Sequence, residues 1–242
     1  MAGIGIKLNK FFDKGTVTGY LAGSGYSVVT TIAPMLLVIA DILAMQKILG
    51  YSDAAYGSRQ LFQATILYIF VFALLASAPL NAVLSRYVSD VIFNETYSDI
   101  MAAFHLGLWI SMAIDAIMVV PFAIHEYIVG GVDIVYVVTS VCCFIALSLV
   151  FYTMLYLSLC KDYGKISLFY FIGMAITLGI SYIFVNKFNM EITYSMLLAM
   201  TIGFIIIASL GYALLRQYFT QNSKNYKDVL QYICLLYTSP SP

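Results

Sequence analysis

Two carboxylates sit where a carboxylate is costly to keep. Asp41 lies in the apolar stretch Tyr20 to Leu49, which carries no charge ahead of it, and Asp115 lies in a second stretch from Ile100 to Ile124. An acid at mid-membrane costs about 2.5–3.5 kcal/mol on insertion scales and usually faces a bundle interior or a wet cavity. Leu36, Leu37, Ile39, Ile42 and Leu43 each return roughly 0.3–0.6 kcal/mol, so the first stretch still inserts. An acid retained there can relay a proton or ion, or contact the hydroxyls of a polar ligand. The alternative is that bundle hydroxyls such as Thr30, Thr31 or Ser111 satisfy it. Pro34, seven residues before Asp41, projects from nearly the same helical face. Its ring displaces the hydrogen bond to the Thr30 carbonyl and bends the helix. A bent helix with a buried acid reads as a moving part beside a polar path.

Other residues carry weaker signals. Arg86 and Asp90 stand one helical turn apart at the end of the second apolar stretch, a spacing that suits a gate latch and equally suits plain interfacial anchoring. Gln60, Gln63 and Asn81 put amides in or near that stretch, where they bind a polar ligand or hold helices together. Tyr152 and Tyr156 share a helical face and offer rings for a ligand to stack on, but tyrosine also fills cores and interfacial belts. His105 is far from the pair His125-Glu126, which reads as an outside loop, and no metal spacing links them. Cys142, Cys143 and Cys160 lack a CxxC pattern and read as small buried hydrophobes. There is no GxxxxGK[ST] motif, so neither a nucleotide, another cofactor nor a metal is expected. Any energy-requiring work would then draw on an ion gradient or a partner.

The elements that must hold these residues are membrane helices. Hydrophobic residues make up 62% of the 242 and charged ones 10%, well below the soluble average of about 25%. The formal net charge is zero, so nothing in the balance calls for nucleic acid. After the first stretch come five more: about Gln60 to Leu84, about Ile100 to Ile124, and runs between Asp133 and Lys161, Lys165 and Lys187, and Glu191 and Arg216. Each is long enough to cross hydrocarbon. The expected fold is all-α and integral to the membrane: a six-helix lobe over residues 21–216 with antiparallel neighbours and no internal repeat. Residues 1–20 form an amphipathic interfacial leader, with Ile4, Leu8, Phe11 and Phe12 opposite Lys7, Lys10 and Lys14. Lysine and arginine number nine on the side holding both termini and three on the other, which puts both termini in the cytoplasm. An even span count lets a second such lobe enter in the same orientation, as in transporters built from parallel repeats. Residues 217–233 read as a cytoplasmic linker to that second lobe. The final CLLYTSPSP, residues 234–242, reads as translated sequencing-adaptor DNA, which makes the chain an N-terminal fragment.

The opening MAGIGIKLNKFF, the stretch GYLAGSGYSVVTTIAPMLL and the stretch APLNAVLSRYVSDVIFNETYSDI resemble the PelG family, exporters of the Pel exopolysaccharide within the multidrug/oligosaccharidyl-lipid/polysaccharide flippase superfamily. The resemblance covers roughly the first hundred residues. Met35 stands where a tryptophan is expected, and Lys7 where the family tends to an acid. The resemblance implies a multi-pass protein of the cytoplasmic membrane that is not an enzyme and moves a polysaccharide by alternating access or as a conduit, with binding at the seam between lobes. It also implies a Pel-type glycosyltransferase and other membrane components of the machinery as partners. The runner-up is a cation-coupled multidrug or lipid-linked oligosaccharide flippase of the same superfamily. A membrane-bound transferase would need an acid cluster or a His/Asp motif at one membrane surface, and a mere scaffold would lack a polar cavity. Within the transport reading, Asp41, Asp115, Gln63 and Asn81 are the cavity candidates, Arg86 and Asp90 the gate, and Pro34 the kink.

Overall fold

A computed structural model describes residues 17–94, 96–159, 163–220, 226–227 and 229–231, with side chains for 32–94, 96–158, 164–220, 226–227 and 229–231. The leader expected over residues 1–20 falls outside this set up to residue 16, as do residues 232–242 and Cys160.

Six long helices follow one another. They are α1 (Val17–Ile48), α2 (Tyr56–Phe93), α3 (Asp99–Ile128), α4 (Ile134–Leu159), α5 (Tyr163–Phe188) and α6 (Ile192–Tyr218), with a 3-10 turn at Tyr51–Asp53 after α1. Helix is the form these sequences must take in lipid, because it satisfies every backbone donor and acceptor within the segment. Among the described residues, α2 to α6 are long and apolar enough to cross a membrane. Short connectors separate them. Gly50 ends α1 in the left-handed region at φ 66°, where the Asp53 amide donates back to its carbonyl at 2.9 Å. That conformation favours a residue without Cβ.

Two helices run further than hydropathy indicates. α2 spans 38 residues, about 57 Å at 1.5 Å per residue, and continues nine residues past Leu84 through Arg86 and Asp90. Charges stop insertion but not helix formation, so a boundary drawn at a charge marks the membrane edge only. α3 likewise extends to Ile128, and this moves His125 and Glu126 from the expected loop onto its last turn. Pro34, Pro79 and Pro121 all lie inside helices that continue through them.

α4 and α6 form the centre of the bundle. α2 and α3 pack against α4, α5 packs on α6, and α1 packs on α5. Small residues allow the closest of these approaches, as expected where lipid supplies no hydrophobic force between helices. A Cβ at Gly203 of α6 would overlap Thr177 of α5, and one at Gly173 of α5 would overlap Ile207 of α6. Two buried threonines at this contact satisfy themselves on their own helices. Thr177 donates to the Gly173 carbonyl and Thr201 to that of Leu197, each at 2.9 Å. Cys143 is buried as expected, but Cys142 beside it is exposed, because adjacent residues on a helix face different ways.

Candidate functional site

α1 buries Val38, Asp41 and Met45, with Leu49 continuing the stripe just past its end, spaced by three and four residues, and leaves Met35, Leu36, Ile39 and Leu43 exposed on the other side. The buried stripe is the face by which α1 packs. Asp41 therefore sits on it for the same reason as its apolar neighbours, by helical period. It is 4% exposed, and neither carboxylate oxygen has a hydrogen-bond partner among the described residues. Buried polar atoms are almost always paired, so an orphaned carboxyl points to a ligand, an ion or a proton. Pro34 lies two helical turns back on the same helix and is half-buried. The side chains of Thr30 and Thr31, expected as partners for these acids, lie outside the described residues.

Asp115 is held differently. It is 1% exposed on α3, and its Oδ1 accepts a hydrogen bond at 3.0 Å from the hydroxyl of Ser148 on α4, itself fully buried. Its Oδ2 has no partner among the described residues. The buried stripe of α3 runs Phe104, Gly107, Ser111, Asp115, again at three- and four-residue spacing. Opposite it, α4 presents Ser148, Tyr152 and Tyr156. Ser111, expected as a partner, is on the same stripe, but the hydroxyl bonded to Asp115 is that of Ser148.

Further along the same interface, Tyr152 is fully buried and donates to the Phe104 carbonyl at 2.7 Å, with the Tyr156 hydroxyl 3.3 Å away. A Cβ on Gly107 would overlap the Tyr152 hydroxyl. Both tyrosines are thus core members, and neither offers a free ring face for sugar. The core reading holds because the ring pair fills the gap that Gly107 leaves. Phe104 also stacks on Tyr212 of α6 at 5.6 Å, and His105 Nε2 lies 3.3 Å from the Tyr212 hydroxyl. This three-helix aromatic cluster carries no signal in spacing alone, since Tyr212 is 107 residues from His105.

The remaining candidates are scattered. Gln60 and Gln63 are exposed near the start of α2, whereas Asn81 is half-buried with its Oδ1 enclosed and unpartnered among the described residues. Arg86 and Asp90 are both exposed, one turn apart, on the last part of α2. Asp41, Asp115, Gln63 and Asn81 thus occupy three helices, α1, α3 and α2. Among the described residues no group of His, Cys, Asp and Glu is arranged to hold a metal. Outside the spans, the Tyr51 hydroxyl donates to the Arg59 carbonyl at 2.9 Å and ties the 3-10 turn to α2. Burial pushes its phenol above the usual value, with the Arg59 charge pulling the other way, so Tyr51 remains a donor.

Residues 1–238 match the model of the PelG family, described as "Putative exopolysaccharide Exporter (EPS-E)". The match covers nearly the whole chain, far beyond the first hundred residues that carry the resemblance by eye, and the chain belongs to the PelG family. No curated protein and no solved structure matches it. With five helices among the described residues long and apolar enough to cross a membrane, the chain is a multi-pass membrane protein of an exopolysaccharide exporter family.

Proposed function

We propose that this chain is a six-span lobe of a Pel-type exporter in the cytoplasmic membrane, with α1 as the sixth span and Asp41 as its coupling carboxyl. What supports the sixth span is the 32-residue length of α1 and its stretch without charge ahead of Asp41. The nine-to-three distribution of lysine and arginine supports cytoplasmic termini. A second lobe of the same size completes the transporter, and the polymer passes at the seam between them, supplied by a membrane-associated glycosyltransferase.

The observation that carries the reading is the state of Asp41: enclosed, on a proline-containing helix, with neither oxygen paired among the described residues. A carboxyl in that position takes up and releases a proton or a monovalent cation as α1 shifts against α5, and so links the gradient to movement of the lobe. Asp115 has the other role, that of a polar tie between α3 and α4, because Ser148 already engages it. A cation-coupled flippase of the same superfamily would use the same carboxyl. It differs in cargo, and a Pel-type glycosyltransferase gene beside this one separates the two.

Asp41→Asn in the intact exporter tests the assignment, with secreted polysaccharide measured against the amount of exporter in the membrane. Loss of secretion at normal membrane levels is expected. Unchanged secretion would remove Asp41 from the coupling role.

A further inference from the structure

A cleft of about 490 Å³ opens between α2, α3 and α4 at the end of the lobe where α2 begins and α3 ends. Its walls run from Leu61 to Phe72 on α2, from Met118 to Glu126 on α3, and from Val132 to Phe144 along α4. At 1.5 Å per residue these stretches measure about 12–18 Å, close to half of a hydrocarbon core of about 30 Å. The cleft is therefore about one leaflet deep. Rings of Tyr68, Phe72 and Phe122 pack on one another at 5.8–6.0 Å to form one wall. The Tyr136 hydroxyl donates to Thr65 at 3.3 Å and joins α4 to α2 across it.

The chemistry of the lining restricts the occupant. A cleft walled so largely by apolar side chains does not hold water. A fourth helix, 10–12 Å across with side chains, does not fit between three helices already packed on one another. A single alkyl chain does fit, and the surrounding medium is made of them. Among the described lining residues the one charged group is Glu126, near the end of α3. Its carboxylate is about a third exposed, 3.4 Å from His125 Nδ1, two residues from the end of α3, and so open to a headgroup. A carboxylate there attracts an ammonium and repels a phosphate that lacks one.

We propose that this cleft binds one phospholipid from the leaflet on the side where α2 begins, with an acyl chain along Tyr68, Phe72 and Phe122 and an ethanolamine ammonium at Glu126. The bound chain fills the space between α2 and α3 and makes the lipid part of the lobe's packing.

The test uses the full-length exporter in nanodiscs doped with phosphatidylethanolamine that carries a diazirine on its acyl chain, with crosslinks mapped by peptide mass. Crosslinks concentrated on the peptides of Tyr68, Phe72 and Phe122 are expected. They should be lost in Ala123→Trp, which fills the cleft, and kept in Ala82→Trp, on an exposed part of α2 away from it. Glu126→Gln should keep the crosslinks but reduce the preference for phosphatidylethanolamine over phosphatidylglycerol by about two- to fivefold, the worth of a partly exposed charge pair. Crosslinks spread evenly over all lipid-facing peptides, or a protein partner occupying the cleft in the mapped peptides, would overturn the proposal. The wild-type map decides the matter even if a tryptophan variant fails to fold.

Discussion

Replacing Ser148 by alanine removes the hydrogen bond that holds Asp115, and its consequence can be worked from the geometry. The bond is 3.0 Å long between two groups shut between α3 and α4, and the second carboxylate oxygen has no partner among the described residues to share the load. Side-chain hydrogen bonds between membrane helices average about 0.6 kcal/mol and reach about 1.7, whereas bonds to a charged group in soluble proteins are worth about 1.5–3 kcal/mol. The overlap of these ranges puts Ser148→Ala near 1.5 kcal/mol, roughly a tenfold shift in the folding equilibrium. If this lobe unfolds as its own unit, that lowers its Tm by roughly 3–6 °C. Asp115→Asn is the informative contrast. It keeps an acceptor for Ser148, adds a donor and removes the cost of a carboxylate at mid-membrane, so it should leave Tm unchanged or raise it. The assay is thermal unfolding of the intact exporter in detergent, with membrane yield and polysaccharide secretion measured on the same variants. If Asp115 is a tie, secretion follows stability in both. An Asp115→Asn exporter that is as stable as wild type but secretes nothing would refute the division of roles between the two acids. So would a Ser148→Ala exporter of unchanged Tm.

Other outcomes follow from the packing. Gly203→Ala drives a methyl into Thr177 at the α5–α6 contact, and overpacking of this kind costs about 1–3 kcal/mol; reduced yield of folded exporter checks it. Gly50→Ala forces a Cβ into the left-handed region at φ 66° and should cost about 1–2 kcal/mol by the same thermal assay. Tyr51→Phe should cost about 0.5–1.5 kcal/mol for the lost bond to the Arg59 carbonyl.

The helices were legible in the sequence because lipid imposes a simple rule, an apolar stretch long enough to cross, and α2 to α6 follow it. What that rule cannot see is where a helix ends beyond the membrane, which is why α2 passes Arg86 and Asp90 and α3 takes in His125 and Glu126. Asp41 and Asp115 stand out by residue type alone, yet their different states depend on neighbours. One of those neighbours was accessible. The α3–α4 connector is centred near residue 131, so Asp115 and Ser148, 16 residues before it and 17 after, stand level across an antiparallel pair. The same count brings Phe104 close to Tyr156 and Gly107 close to Tyr152. No such count reaches Tyr212 beside His105, because α5 intervenes and the order of packing is not written in any single stretch. Nor does composition foretell the cleft of α2 to α4, whose lining is as apolar as the lipid-facing surface around it.

The central claim is that Asp41 is an enclosed carboxyl that takes up and gives back a proton while Asp115 is structurally engaged. Dicyclohexylcarbodiimide, which reacts with protonated carboxyls in apolar surroundings, tests this in one measurement on the intact exporter in its membrane, read by peptide mass alongside secretion. Modification of Asp41 with secretion falling in proportion, and Asp115 left unmodified behind Ser148, is the result predicted here. Full modification of Asp41 with secretion undiminished would contradict it.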